Sequence, residues 1–324
     1  MIKTLKIVDF NHEHIDDAKK LALANYEEER KHVHELPAIE TIPDLAGFAE
    51  NGLGVTAFKG NNMVGFLCCY EPNDNAFGST RVKGIFSPMG GNAAVSDTAE
   101  NQAKIYAAMY QSAGEKWVRA GAVSHAVCLY AHDMGTQMQF YRYGFGLRCV
   151  DAVRSMDLIE CIPCDDYSFT ELGLEDCSDV YKLGINLNEH QRTSPYFMNR
   201  ISGTFDQFEN DYLTDKVTRY FGAKKNNELC AYLSLTDGGE TFIACGDDYK
   251  HVNGAFCLPE HRGKGVYQNL LNHVISVLKN EGITRLGTDF ESFNPAGSGF
   301  WLKHFKAYTH SVVRRIDETV LDLF

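Results

Sequence analysis

The sequence predicts an α+β protein built from two tandem copies of one domain, each a mixed, mostly antiparallel central sheet flanked by helices. Three observations predict it. The chain has 324 residues, too long for one ordinary core and suited to two domains of roughly 150–160 residues each. Blocks of residues recur in the same order in both halves. Phe140-Tyr141, Phe145, Val153-Arg154 and Asp157 return as Phe300-Trp301, Phe305, Val313-Arg314 and Asp317 at one constant offset. Upstream, Val82, Gly84 and Phe86 return as Val252, Gly254 and Phe256, and Lys20-Leu21, Glu27 and Arg30 as Lys182-Leu183, Glu189 and Arg192. Finally, strand-like and helix-like apolar patterns alternate within each half.

Each copy reads as a strand, one or two helices, a run of antiparallel strands, a long helix, a strand, a short helix and a last strand, with the sheet opened near its middle. Asn61-Asn62 and Asn226-Asn227 signal the hairpin turns. Glu160 to Asp166 gathers Pro163 and acidic residues after a strand pattern, so the copies are expected to span 1–160 and 161–324. In the second copy Gly254 to Leu258 is a short apolar strand. The helix after it carries Val266, Leu270, Leu271, Val274, Val277 and Leu278 on one face. Leu286 to Phe290 reads as the next strand.

Between the first strand and the helix lies Pro-Glu-His-Arg-Gly-Lys-Gly-Val-Tyr, residues 259–267. The first amides of a helix have no intrahelical partner and the macrodipole is positive there. Gly263 and Gly265 let backbone approach a ligand, and Arg262 and Lys264 add positive charge. The spacing suits a pyrophosphate. It lacks the third glycine of the dinucleotide fingerprint, and Val266 stands where a nucleotide-binding P-loop needs Lys.

The pattern resembles that of the GNAT N-acetyltransferase superfamily, [Arg/Gln]-x-x-Gly-x-[Gly/Ala], and Arg262-Gly263-Lys264-Gly265-Val266 is similar to it. Tyr267 departs from the family, which usually has Gly or Ala there. The family's second motif, Asn-x-x-Ala-x-x-Phe-Tyr, is matched in spacing by Asn294, Gly297, Phe300 and Trp301. The resemblance covers the C-terminal half.

That resemblance implies acetyl-CoA as co-substrate, with no metal, and transfer of the acetyl group to a primary amine of a small molecule or peptide by direct attack. It implies that a backbone amide of Phe256-Cys257-Leu258 holds the thioester carbonyl. Arg262 to Tyr267 would bind the pyrophosphate, and Asn294, Phe300 and Trp301 the cofactor from the other wall. The family's usual Tyr acid is replaced by Trp301; Tyr267 and Tyr308 are the alternatives. Glu291 is the first candidate for the base and Asp289 the second. Cys257 is read as a core thiol rather than a nucleophile, since no His can be paired with it. Acceptor contacts are assigned to Arg192, for a carboxylate, and to Tyr196 and Phe197, for an apolar part.

The first copy has Ser87-Pro88-Met89-Gly90-Gly91-Asn92 in place of the cationic loop, and Met134 in place of Asn294. It is read as a degenerate copy without a cofactor site. The net charge of −12 argues against a nucleic-acid partner and favours a cationic acceptor. No apolar run reaches membrane-spanning length, and the N-terminus has no apolar signal core, so a cytoplasmic monomer or homodimer is expected. The ten cysteines are read as reduced, and Cys161-x-x-Cys164 as a linker feature rather than a zinc site. The alternatives are an acyl-CoA sensor without turnover and a transferase of another acyl group.

Overall fold

The computed structural model describes residues 5–74 and 80–324. Met1–Thr4, on which the reading of the N-terminus partly rests, lie outside the described residues. In chain order the first copy contains β1 (Leu5–Asp9), α1 (Ile15–His32), α2 (Ala46–Glu50), β2 (Val55–Lys59), β3 (Asn62–Leu67), β4 (Gly84–Ser87), β5 (Asn92–Ala94), α3 (Ala99–Arg119), β6 (Ser124–Tyr130), α4 (Met134–Arg142) and β7 (Gly146–Ser155). The second contains β8 (Ser168–Glu171), α5 (Cys177–Arg192), α6 (Phe205–Thr214), β9 (Arg219–Lys225), β10 (Glu228–Thr236), β11 (Tyr249–Cys257), α7 (Val266–Asn280), β12 (Arg285–Glu291), α8 (Pro295–His304) and β13 (Lys306–Arg315). The repeat is visible in this order: strand, helices, hairpin, strand, long helix, strand, short helix, strand.

The compact units do not follow the cut expected at residue 160. One unit comprises Met1–Asp151 together with Ala307–Phe324, and the other Ala152–Lys306. Two strands make the difference: the boundary cuts β7 between Asp151 and Ala152, and β13, the last strand of the second copy, belongs to the first unit from Ala307 on. β13 pairs antiparallel with β6 of the first unit, from Thr309↔Tyr130 to Arg315↔Ser124. Sequence periodicity specifies a strand but not its neighbour, so a repeat boundary and a structural boundary need not coincide.

In the first unit, β1, β2, β3 and β5 form an antiparallel sheet, and β4 runs parallel to β6. The turn between β2 and β3 falls at Gly60-Asn61, one residue before the expected pair. α3 starts at Thr98, whose side chain accepts from the Asn101 N–H. It buries Ile105, Tyr106, Met109 and Trp117 in a core with Val55, Leu67 and Val127. Trp117 is fully buried, and its indole N–H donates to the Leu53 carbonyl at 3.1 Å. Burial of each such side chain stabilises by about 1.5–3 kcal/mol.

In the second unit β8, β9, β10 and β11 are antiparallel, and β12 joins parallel to β11. Asn226 and Asn227, at φ of 52° and 67°, make the β9–β10 turn in the left-handed region that Asn tolerates. α5 packs on β10 and β11, and α7 on β8 and β9. The face α7 buries is Val266, Leu270, Leu271, Val274, Ile275 and Leu278. Val277, expected there, is only half-buried, and Ile275 takes the core position.

One feature of this sheet positions the site. The parallel register of β11 and β12 runs from Tyr249↔Arg285 to Val252↔Thr288 and ends. Yet β11 continues to Cys257 and β12 to Glu291. The ladder stops where β11 has a bulge against β10: Gly254 pairs with Ser234 and Val252 with Leu235, leaving Asn253 as the extra residue. The two strands therefore splay apart beyond Val252. Among the described residues no helix is long and apolar enough to cross a membrane.

Candidate active site

A pocket of about 400 Å³ lies along the splay in the second unit. Ala255, Phe256 and Cys257 of β11 form its floor, and Gly263, Gly265, Val266 and Tyr267 one rim. Asn294, Gly297, Phe300, Trp301 and His304 form the opposite wall, and Leu187 and His190 of α5 close one side.

The backbone of β11 supplies donors to this pocket. The Leu258 N–H donates to the Cys230 carbonyl at 2.9 Å, which makes 258/230 a hydrogen-bonded pair. In an antiparallel ladder such pairs alternate with non-bonded ones. The N–H groups of Cys257 and Ala255, at non-bonded positions opposite Ala231 and Leu233, therefore face away from β10 and into the splay. Of the expected Phe256-Cys257-Leu258 segment, only Cys257 aims an amide there.

At the rim, Gly263 and Gly265 have φ of 71° and 80°, which a side chain would strain. Gly265 is the N-cap of α7, and no side chain caps this helix, so its first amides remain for a ligand. Arg262 is fixed to the end of β11: its Nε donates to the Cys257 carbonyl at 2.8 Å, and its guanidinium lies 5.2 Å from the Phe256 ring centroid. Lys264 is exposed and does not line the pocket; its carbonyl accepts from the Cys164 thiol at 3.1 Å. Lys303 and His261, which the sequence motifs do not single out, add cationic or protonatable groups to the wall. Neither belongs to the motif core, so only their placement on α8 and beside the loop reveals them.

Asn294 is the N-cap of α8, accepting from the Gly297 N–H at 3.2 Å, and it also lies 3.5 Å from His190 Nε2. Its neighbour in the motif, Gly297, makes room for it: a Cβ there would sit 2.6 Å from Asn294 Nδ2. Trp301 is buried and stacks edge-on against Tyr267 and Phe300. Burial, with Lys303 and Arg154 nearby, pushes the His304 imidazole below its ordinary value.

The candidate acids, bases and acceptor contacts fare differently. The Tyr267 hydroxyl donates to the Tyr232 carbonyl at 3.2 Å, and burial pushes it well above its ordinary value. Its proton is committed to the backbone, and its ring is a wall of the pocket. Tyr308 is buried in the first unit. Burial, with Cys230 beside it, pushes the Cys257 thiol up to about 12, so it stays protonated at neutral pH. Neither Glu291 nor Asp289 is among the residues lining the pocket, and the Glu291 carboxylate is 3.5 Å from Arg200. Asp289 shares its strand face two residues earlier and bonds His251 at 2.8 Å. Arg192 is taken up by Glu189, by Asn199 at 3.0 Å and by the Arg200 carbonyl at 3.1 Å. It organises its own loop rather than offering a fork to a ligand. Tyr196 is buried against the Phe293 ring at 5.2 Å, and Phe197 is exposed; neither lines the pocket.

The corresponding place in the first unit is filled. β4 pairs with β6 along its whole length, from Gly84↔Ser124 to Ser87↔Val127. The buried Asn92 side chain donates to Ser87 Oγ at 3.0 Å and to the Cys128 carbonyl at 3.1 Å, and accepts from the Tyr106 hydroxyl at 3.0 Å. Met134, the counterpart of Asn294, is exposed. Among the described residues no group of three or more His, Cys, Asp or Glu could hold a metal. Cys161 and Cys164 are free thiols.

Residues 186–305 match the family model of the acetyltransferase (GNAT) family. The match takes in the Arg262–Gly265 loop, the splay and Asn294, and stops before β13. No curated protein matches. Among solved structures the chain is similar to a GCN5-related N-acetyltransferase from Sphaerobacter thermophilus, at 10% identity over 95% of each chain with a TM-score of 0.56. It is also similar to an acetyltransferase of the GNAT family from Colwellia psychrerythraea, at 14% identity over 96% of this chain and 100% of that one, with a TM-score of 0.47. A tandem GNAT protein from the clavulanic acid biosynthesis pathway matches at 14% identity over 96% and 98%, with a TM-score of 0.44. At such identity the first of these speaks for the fold alone, and the second copy of this chain is a GNAT domain.

Proposed function

We propose that the second copy binds acetyl-CoA and transfers its acetyl group to a primary amine of a small molecule or peptide. The observation that carries this reading is the ended β11–β12 ladder beside a helix capped only by glycine. The pyrophosphate would lie on the first amides of α7, beside Arg262, Gly263, Lys264 and Gly265. The pantetheine arm would follow β11, where the N–H groups of Ala255 and Cys257 are free of β10. Asn294, Phe300 and Trp301 would cover it from α8.

The chemistry then runs by direct attack. The acceptor ammonium gives up a proton to a carboxylate on β12. Its nitrogen adds to the thioester carbonyl carbon, and the oxygen takes the negative charge. A β11 amide aimed at that oxygen lowers the barrier, and loss of one such donor typically costs about 10²–10³ in rate. The adduct's nitrogen, now cationic, loses its second proton to water as the tetrahedral adduct collapses, the C–S bond breaks, and the thiolate leaves to be protonated from solvent. A covalent route through Cys257 is disfavoured by its protonated thiol.

One observation favours a second reading, an acyl-CoA sensor: Trp301 replaces the family's usual acid, and the Tyr267 hydroxyl is already committed to Tyr232. Release of coenzyme A thiol from acetyl-CoA with a panel of primary amines separates the two. Amine-dependent release supports transfer; tight acetyl-CoA binding without release supports the sensor. Longer acyl-CoA esters in the same assay test the acyl preference.

A further inference from the structure

The splay has a closed end, and a built hydrogen-bond chain sits at it. The last β11–β12 pair is Val252↔Thr288, and the next residue of β12 is Asp289. From Cys257 back to Val252 is five residues, about 17 Å of strand. An extended pantetheine arm anchored at the Gly263–Gly265 loop and laid along β11 therefore delivers its acyl end toward this crotch. Asp289 is the carboxylate nearest it along β12.

Asp289 is held from behind. His251 of β11 is 2% exposed. Its Nε2 lies 2.8 Å from Asp289 Oδ1, and its Nδ1 lies 2.8 Å from the Tyr249 hydroxyl. A carboxylate only accepts, so Nε2 carries a proton and donates it. In the neutral imidazole Nδ1 then accepts from Tyr249. The chain runs Tyr249 O–H to His251 to Asp289, every polar atom in the direction that fixes the carboxylate.

Two glycines make space for this chain, and neither has a left-handed backbone that would otherwise require glycine. A Cβ on Gly287 would lie 1.8 Å from the Tyr249 hydroxyl oxygen, and one on Gly239 would lie 2.6 Å from His251 Cε1. The carboxylate that results is one-third exposed, whereas the Glu291 side chain is 11% exposed and faces Arg200. Glu240, from the β10–β11 connection, is a further charged group close enough to interact with Asp289, Glu291, His251 and Arg200. Burial in the surrounding protein mass, then Asp289 and Glu291, push its carboxyl up, although its surface stays open to solvent.

We propose that Asp289 takes the proton from the acceptor ammonium, and that His251, backed by Tyr249, is the positioning residue that aims its carboxylate into the crotch. This rests on the acetyl-transfer reading above. The proton moves from the ammonium nitrogen to Asp289 Oδ2, leaving Oδ1 on His251 Nε2–H. It then passes to water at the exposed face of the carboxyl, and the neutral amine attacks.

The test is steady-state kinetics on the full chain, with acetyl-CoA and a panel of a polyamine, an amino-acid ester and an amino sugar, alongside calorimetry for acetyl-CoA. Asp289→Asn should lower kcat by about 10²–10⁴ and leave acetyl-CoA affinity unchanged. His251→Leu should lower kcat by about 10², the scale of a misaimed group. It should also move the acid limb of the pH–rate profile upward, because the carboxylate has lost an N–H donor. His251→Gln, which can still donate, should restore the limb. Gly239→Ala, which crowds the imidazole without removing it, should move the limb as His251→Leu does and serves if the latter does not fold. Wild-type turnover that survives Asp289→Asn, or a limb that none of these variants moves, overturns the inference while the transfer reading stands. No turnover by the wild-type protein with any amine overturns the transfer reading and the inference with it.

Discussion

At the scale of single residues, the contrast between Glu29 and its counterpart Gln191 shows how the copies have diverged. Glu29 is fully buried in the first unit and bonds the His132 imidazole, which stacks on His32 at 4.7 Å. Burial lowers the His132 value, but the bond and charge of Glu29, with Asp133 and Glu28, outweigh it, and the net shift is upward. A raised folded value means stability that is fully present below the unfolded value of 6.5 and is lost as pH rises through the higher folded one. The first unit should thus melt at a lower temperature at pH 8.5 than at pH 6. His132→Gln should flatten that dependence, as read by thermal melts across pH; an unchanged slope would remove the imidazole from the account.

The same scale shows where sequence reasoning stopped. Gly263, Gly265, Arg262 and Asn294 were legible because a strand-to-helix turn and a helix cap are local events. His251 and Asp289 are joined only when β11 and β12 pair, so their contact has no local signal. Arg192 looked like a ligand fork, but Asn199 and the Arg200 carbonyl, supplied by a later loop, use it up. Glu291 remains a second carboxylate for the proton; Glu291→Gln should cost less kcat than Asp289→Asn under the same assay, and the reverse order would return it to first place.

At the scale of elements, β13 is the instructive strand. Its sequence is the repeat of β7, which led to a cut between self-contained halves, yet its ladder is with β6. Strand patterns specify which face is buried, not which edge is paired. Truncation after residue 306 should therefore deprotect the amides of β6 in hydrogen exchange by orders of magnitude, since β6 loses one of its two neighbours. The amides of β9 and β10 should change little. Uniform deprotection of both units would contradict the assignment of β13 to the first.

At the scale of the whole molecule, the fold class, the repeat and the element order were legible from periodicity and internal similarity, because these are statements about pattern. The division into units was not, because it cuts β7 and places β13 in the first unit. The difference between the two loops was legible, since the first copy lacks cationic residues there, and the structure adds a second difference. Asn92 plugs the place between β4 and β6 that stays open between β11 and β12. The chain is thus proposed to hold one coenzyme site, in the second copy. Calorimetric titration of acetyl-CoA into the wild-type chain and into Gly265→Asp tests it most directly. The account predicts one site per chain, weakened about a hundredfold or more by a carboxylate set against the pyrophosphate, with the variant still folded by circular dichroism. Two equivalent sites, or unchanged affinity in the folded variant, would contradict it.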